Sequence, residues 1–355
     1  MKKNKCNKIQ HYNSYPIITP EQLKIQFPIT YEEQKTITDS QNIIKNIINK
    51  RDHRLLIICG PCSIHDVNAA LDYANKLKIL ATKLQEQLYI VMRVYLEKPR
   101  TNIGWKGLIY DPNLNNSNDI ELGLKIARNL LIKLIKIGLP LATEVLNPNI
   151  PQYFSELFSW ISIGARTTES QIHREIASGL STSVGFKNST DGSFSNAINA
   201  MRAAMIPHHY IGIDISGKVC VLHTKGNTNT HIILRGGKHP NYYPENIISC
   251  EKKMIQAGLP KILMIDCSHG NSNKDYRRQI DVVQSVLQQI QNGNHSIIGL
   301  MLESYIYSGN QSMYSSNTSM QYGISITDAC ISWESTEDLL YLLHKQLKPF
   351  LANRM

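Results

Sequence analysis

Eight short apolar stretches of this 355-residue chain each end on a charged or ligand-type residue. The first runs into Gly60-Pro61-Cys62-Ser63-Ile64-His65-Asp66. The second carries Arg93 and then Glu97-Lys98-Pro99-Arg100-Thr101. The third ends at Thr143-Glu144, the fourth at Gly164-Ala165-Arg166, and the fifth at Phe186-Lys187. A β-rich zone closes on Leu234-Arg235-Gly236-Gly237-Lys238. The seventh ends Asp266-Cys267-Ser268-His269-Gly270, and the eighth ends at Glu303. Two chemistries are represented. Arg93, Lys98, Arg100, Arg166, Lys187 and Arg235 are cations suited to phosphates and a carboxylate, Arg as a planar fork and Lys as a point charge. Cys62, His269, Glu303 and the downstream Asp328 are metal-ligand types. One soft thiolate, one imidazole and two carboxylates suit a divalent transition metal.

Other motifs carry less. Cys59-Gly60-Pro61-Cys62 has the CxxC redox spacing, but Cys59 falls inside a strand and nothing else supports a thioredoxin-like fold. No GxGxxG or GxxxxGK[ST] nucleotide loop is present. Gly236-Gly237 either lets backbone approach a ligand or makes a sharp turn. The net charge is +10, which alone would fit nucleic acid, an anionic membrane or anionic substrates. The basic residues are not clustered with stacking aromatics, and no DNA- or RNA-binding motif occurs, so nucleic-acid binding is not expected. No apolar run approaches the ~18 residues of a membrane span. The basic N-terminus lacks a signal-peptide core. The seven cysteines are odd in number and scattered, which speaks against a disulfide scaffold and for a reducing cytoplasm.

The elements that must position these residues follow from periodicity. Thr19-Pro20-Glu21 reads as an N-cap with Pro at the first helical position, opening a short helix to Phe27. An amphipathic helix is predicted from Thr38 to Asn49, with Ile43, Ile44, Ile47 and Ile48 on one face. From Leu55 onward, apolar runs alternate with helical stretches, the signature of βα units. The β-rich zone reads as a strand plus an inserted hairpin around Ser216-Gly217-Lys218. Eight units predict a (β/α)8 TIM barrel, whose sites gather at the C-terminal ends of the strands; a doubly wound sheet is the alternative. The expected organisation is an N-terminal helical extension over residues 1–50, then a catalytic barrel over 51–355 with the β-hairpin at about 210–225.

The motifs around Cys62, Lys98, Arg166 and Arg235, together with Gly104-Trp105-Lys106-Gly107-Leu108, resemble class I, microbial-type 3-deoxy-D-arabino-heptulosonate-7-phosphate synthases. The likeness runs from about Thr19 to the C-terminus. The stretches Asp266–Gln279 and Thr327–Glu334 are most similar to the tyrosine-regulated isoenzymes. The resemblance implies condensation of phosphoenolpyruvate with erythrose 4-phosphate, releasing phosphate, in the shikimate pathway. It implies one divalent metal ion (Mn, Fe, Co or Zn) on Cys62, His269, Glu303 and Asp328. Phosphoenolpyruvate is then expected on Arg93, Lys98, Arg166, Lys187 and Arg235, and erythrose 4-phosphate on Arg100 and Thr101. Lys98, Cys62, His269 and Glu144 are the expected catalytic residues. An aromatic amino-acid effector, tyrosine by preference, is expected near Asn147, Pro151, Ser181 and Ile213, with a homodimer or homotetramer as the assembly. Asn147 departs from the usual Asp of relatives, which removes a potential ammonium partner. A related synthase that takes arabinose 5-phosphate shares the barrel chemistry; Lys98-Pro99-Arg100-Thr101 favours the four-carbon aldose.

Overall fold

The structure, a computed structural model, describes residues 14–100, 104–313 and 320–352. Two helices precede the first strand: α1 (Pro20–Gln26) and α2 (Tyr31–Ile48). Then come β1 (Leu55–Gly60), α3 (Val67–Leu84), β2 (Leu88–Arg93), α4 (Ile120–Lys136), β3 (Leu141–Val145), α5 (Pro151–Phe154), β4 (Trp160–Ile163), α6 (Gln171–Gly179), β5 (Ser183–Lys187) and α7 (Ser195–Ala204). A hairpin of β6 (His209–Ile213) and β7 (Val219–His223) follows. The chain continues through β8 (Thr230–Leu234), α8 (Pro244–Gln256), β9 (Leu263–Asp266), α9 (Gln279–Gln291), β10 (Ile297–Glu303) and α10 (Trp333–Leu351).

Eight strands close a parallel barrel in the order β1-β10-β9-β8-β5-β4-β3-β2, and β6-β7 form a separate two-stranded sheet. This is the expected TIM barrel with its inserted hairpin. Successive strand residues point to opposite faces, and the barrel strands are buried on both, so the two apolar clusters follow that alternation. Leu55, Ile57, Cys59, Ile90 and Met92 join the apolar layer shared with the outer helices. Leu56, Ile58, Val91, Ala142, Trp160, Ile233, Met264 and Met301 form a second cluster, the barrel interior.

Ile44, Ile47 and Ile48 of α2 belong to that interior cluster. The helix therefore closes the barrel's N-terminal end, and its apolar stripe is the barrel floor. It starts at Tyr31 rather than near Thr38, because Thr30 and Glu33 form a capping box: each side chain accepts a hydrogen bond from the other's backbone N–H. The apolar stripe alone gave no sign of that earlier start. Arg128 of α4, buried, ties the extension down. Its Nε donates to Phe27 O at 2.9 Å, and Nη1 donates to Tyr153 O at 3.0 Å and Glu156 Oε1 at 2.8 Å.

Gly236 has φ +73°, and a Cβ there would lie 2.4 Å from the Gly270 carbonyl carbon. The glycine pair thus lets the loop after β8 touch the loop after β9, backbone to backbone.

Ile44 is fully buried whereas Ile79 is 60% exposed. Ile44→Ala is expected to lower unfolding stability by about 2–5 kcal/mol, and Ile79→Ala by no more than about 0.5 kcal/mol. Urea denaturation of the two variants measures the contrast.

Candidate active site

At the C-terminal ends of the strands, the alternation that buries Leu56 and Val91 lower down turns Arg93, Glu144, Lys187, Arg235, Asp266 and Glu303 inward. A cleft of about 510 Å³ opens there, lined by Arg93, Lys98, Arg100, Glu144, Arg166, Lys187, Arg235, His269 and Asp328. All six cations singled out in the sequence line this one cleft. Thr101 lies outside the described residues.

The ligand-type side chains meet at one edge of the cleft. Donor atoms of Cys62, Glu303 and Asp328 lie within 4.8 Å of one another. His269 Nε2 is 3.7 Å from Glu303 Oε1 and 4.0 Å from Asp328 Oδ2. The other ring nitrogen, Nδ1, sits 2.9 Å from Asp266 Oδ2, the outer carboxylate that orients a metal-binding imidazole. Ser268 Oγ donates to Glu303 Oε2 at 2.7 Å. A thiol, an imidazole and two carboxylates converging at these distances fit a divalent transition ion.

Charged and polar side chains of the site also pair with one another. Arg93 is 1% exposed; its Nη2 donates to Glu303 Oε1 at 2.9 Å, its Nε donates to Pro61 O at 3.2 Å, and its guanidinium lies 3.5 Å above the Tyr95 ring centroid. Lys98 Nζ donates to Cys62 Sγ at 2.9 Å, and the thiol donates to Asp328 Oδ2 at 3.4 Å. Lys187 Nζ is 3.2 Å from the buried Asp266 Oδ2.

These contacts set the protonation states. Burial first, then the Glu303 charge, pushes the Cys62 thiol up to about 12; a bound divalent ion would deprotonate it outright. Burial works against charge on Lys98, but Cys62, Asp328 and Glu303 outweigh it and keep the amine protonated. Desolvation likewise opposes the Asp328 carboxylate, yet Lys98 and His269 hold its pKa down at about 2. Burial lowers the Arg235 pKa while Asp266 opposes that shift.

Glu144 reaches the cleft because its neighbour is glycine. A Cβ on Gly164 would lie 2.3 Å from Glu144 Oε1. Sequence reasoning missed Thr190, Ser268, Lys274, Tyr276 and Asn310 on the cleft wall, and beside it Gly164, Asp266 and Tyr95. Asp266 carried a legible signal: it is the last residue of a strand whose loop holds His269. Gly164, Ser268 and Tyr95 become visible only through contacts.

The Cys59–Cys62 pair separates. Cys59 Sγ faces the helical layer, 3.1 Å from Tyr73 Oη, whereas Cys62 faces the cleft. All the cysteines among the described residues are unbridged.

None of Asn147, Pro151, Ser181 and Ile213 lines the cleft. Asn147 follows β3, Pro151 opens α5, Ser181 lies exposed between α6 and β5, and Ile213 ends β6. The N-terminal segment reaches two of these neighbourhoods: Tyr153 Oη donates to Ile18 O, and Glu21 N donates to Ile215 O, both at 2.9 Å.

Residues 26–341 match the DAHP synthetase I family. The chain is 58% identical to the Tyr-sensitive phospho-2-dehydro-3-deoxyheptonate aldolase of Salmonella typhimurium, over the full length of both. It is 49% identical to the Phe-sensitive aldolase of Escherichia coli over 94% of this chain and 95% of that one. The solved phospho-2-dehydro-3-deoxyheptonate aldolase of Francisella tularensis superposes with a TM-score of 0.93 at 45% identity, covering 96% of this chain and 99% of the other. With the barrel, the cation-lined cleft and this full-length likeness in agreement, the chain is an enzyme of the DAHP synthetase I family.

Proposed function

We propose that this enzyme condenses phosphoenolpyruvate with D-erythrose 4-phosphate and water, giving 3-deoxy-D-arabino-heptulosonate 7-phosphate and phosphate. The observation that carries this reading is the convergence of seven cations, the six singled out above and Lys274, on one cleft beside a thiol–imidazole–carboxylate cluster. Each phosphate monoester carries about −1.5 to −2 charge. With the carboxylate, the two substrates bring about five negative charges, which these cations can match.

Arg93, Lys98, Arg166, Lys187 and Arg235 hold phosphoenolpyruvate in this reading, and Arg100 with Thr101 holds the sugar phosphate. Cys62, His269, Glu303 and Asp328 hold the ion, which supplies Lewis-acid polarisation of an oxygen when bound. Lys98, kept protonated by its neighbours, is placed to give a proton to the aldehyde oxygen as C3 of phosphoenolpyruvate attacks the aldehyde carbon. Water then adds at C2, and phosphate leaves by C–O cleavage. Glu144 faces the same cleft and orients that water. The protein works in the cytoplasm as a homodimer or homotetramer, with tyrosine as its feedback effector.

A connection runs from the effector region toward Lys98. Asn147 Nδ2 donates to Tyr110 Oη at 2.9 Å, and Tyr110 Oη donates to Glu97 Oε1 at 3.1 Å. Glu97 immediately precedes Lys98. Burial pushes the Glu97 carboxyl up to about 7; hydrogen bonds from Tyr110 and from the Asn147 and Leu146 backbone oppose the rise, and Glu144 adds to it.

The reading leads to the following expected outcomes. Phosphate should be released from phosphoenolpyruvate with erythrose 4-phosphate but not with arabinose 5-phosphate, in a reaction that chelation abolishes and a divalent transition ion restores. Tyrosine should inhibit it; full inhibition by phenylalanine or tryptophan with none by tyrosine would overturn the effector assignment. Cys62→Ser should lose bound metal and turnover together, and Lys98→Met should lower kcat by about 10²–10⁴-fold while its metal content and circular dichroism stay unchanged. A last outcome concerns pH. A carboxyl with a raised folded-state pKa contributes stability that is full below its unfolded value and lost as pH rises through the folded one. Wild type should therefore lose stability relative to Glu97→Gln between about pH 4.5 and 7. Urea denaturation across that window measures it, and parallel curves would contradict it.

A further inference from the structure

The inserted hairpin carries two imidazoles that the barrel chemistry does not use. The register pairs His209 with His223, Ile211 with Val221 and Ile213 with Val219 across the two antiparallel strands. All six side chains share one face of the ribbon, because partners in register and residues two apart point the same way. His209 and His223 are both exposed on that face.

Their pairing type follows from the backbone. Thr224 N donates to His208 O at 2.9 Å, and Asp214 N donates to Lys218 O at 2.9 Å. Bonded positions alternate along an antiparallel ladder, so His209 and His223 form a non-hydrogen-bonded pair, where side chains approach most closely. Their ring centroids are 4.1 Å apart, with the ring planes inclined at 41°. Among the described residues, neither ring nitrogen of either histidine is engaged in a hydrogen bond to the protein. The adjacent His208 differs: its Nε2 contacts Ala203 O at 2.7 Å.

We propose that His209 and His223 form a surface clip for a divalent transition metal ion of the zinc, nickel or copper class, separate from the Cys62 site. Two neutral imidazoles are borderline-soft donors that select these ions over magnesium or calcium. One ion at about 2.0–2.1 Å from each ligating nitrogen would hold both rings, whose centroids are 4.1 Å apart. The apolar neighbours Ile211 and Val221 offer no competing ligand, so water completes the coordination. The ion bridges β6 to β7 and so stiffens the ribbon that ends in Ile213 and whose turn receives the Glu21 N–H at Ile215 O.

The test is equilibrium dialysis of the full-length protein against zinc chloride, with wild type compared to His209→Ala, His223→Ala and the double variant. Wild type should bind one zinc equivalent more than each variant. The difference should persist in a Cys62→Ser background, which separates the clip from the cleft site. Zinc should slow amide hydrogen exchange over residues 209–223 in wild type alone, and magnesium should have no effect there. Phosphate release and circular dichroism should match wild type in both single variants, since neither residue lines the cleft. Equal zinc stoichiometry in wild type and the variants would overturn the proposal. So would zinc protection of the hairpin that survives loss of both histidines.

Discussion

Charge buried at the mouth of the barrel has to be neutralised where it sits. An isolated ion taken out of water costs several kcal/mol, and in a closed strand ring it cannot swing out to solvent. The molecule answers with neighbouring opposite charges, Arg93 with Glu303, Lys187 with Asp266 and Lys98 with Asp328, and with polar contacts from Lys98 to Cys62 and between His269 and Asp266. Each contact fixes a side chain that would otherwise be long and mobile. These contacts hold the side chains in the cleft in fixed positions, and side chains already fixed cost little free energy to order on binding.

That arrangement depends on the layers beneath it. Period-two alternation sends Leu56, Ile58, Val91 and Met301 into the same interior that holds Arg93 and Glu303 one layer higher. The apolar layer excludes water below the charges and strengthens their mutual attraction. α2 seals the opposite end with Ile44, Ile47 and Ile48. The N-terminal extension is therefore part of the barrel's core as well as a neighbour of the hairpin, and it touches both the lower end of the barrel and the region where an effector is proposed to act.

The hairpin stands apart from this logic. Its outer face exposes Ile211, Val219 and Val221 and contributes nothing to barrel closure. An element free of that constraint can carry residues for other purposes, and its paired histidines are the clearest instance. The Asn147–Tyr110–Glu97 chain of hydrogen bonds leads in the opposite direction, from the surface back toward Lys98.

Much of this was legible in the chain itself. Eight apolar runs, each ending on a charged or ligand-type residue, pointed to the barrel and to the strand-end cations of the cleft, because strand period and strand end are local properties of sequence. Thr30 and Glu33 show the limit of that legibility: a capping box is written in the sequence, yet the apolar face of α2 alone placed the helix start several residues late. Only the tertiary structure decided which charges pair. Asp266 serves Lys187 and His269 at once, Tyr95 lies beneath Arg93, and Gly164 leaves room for Glu144. These relations join residues far apart in the chain, and they exist because ring closure brings the strand ends together, which no local pattern encodes.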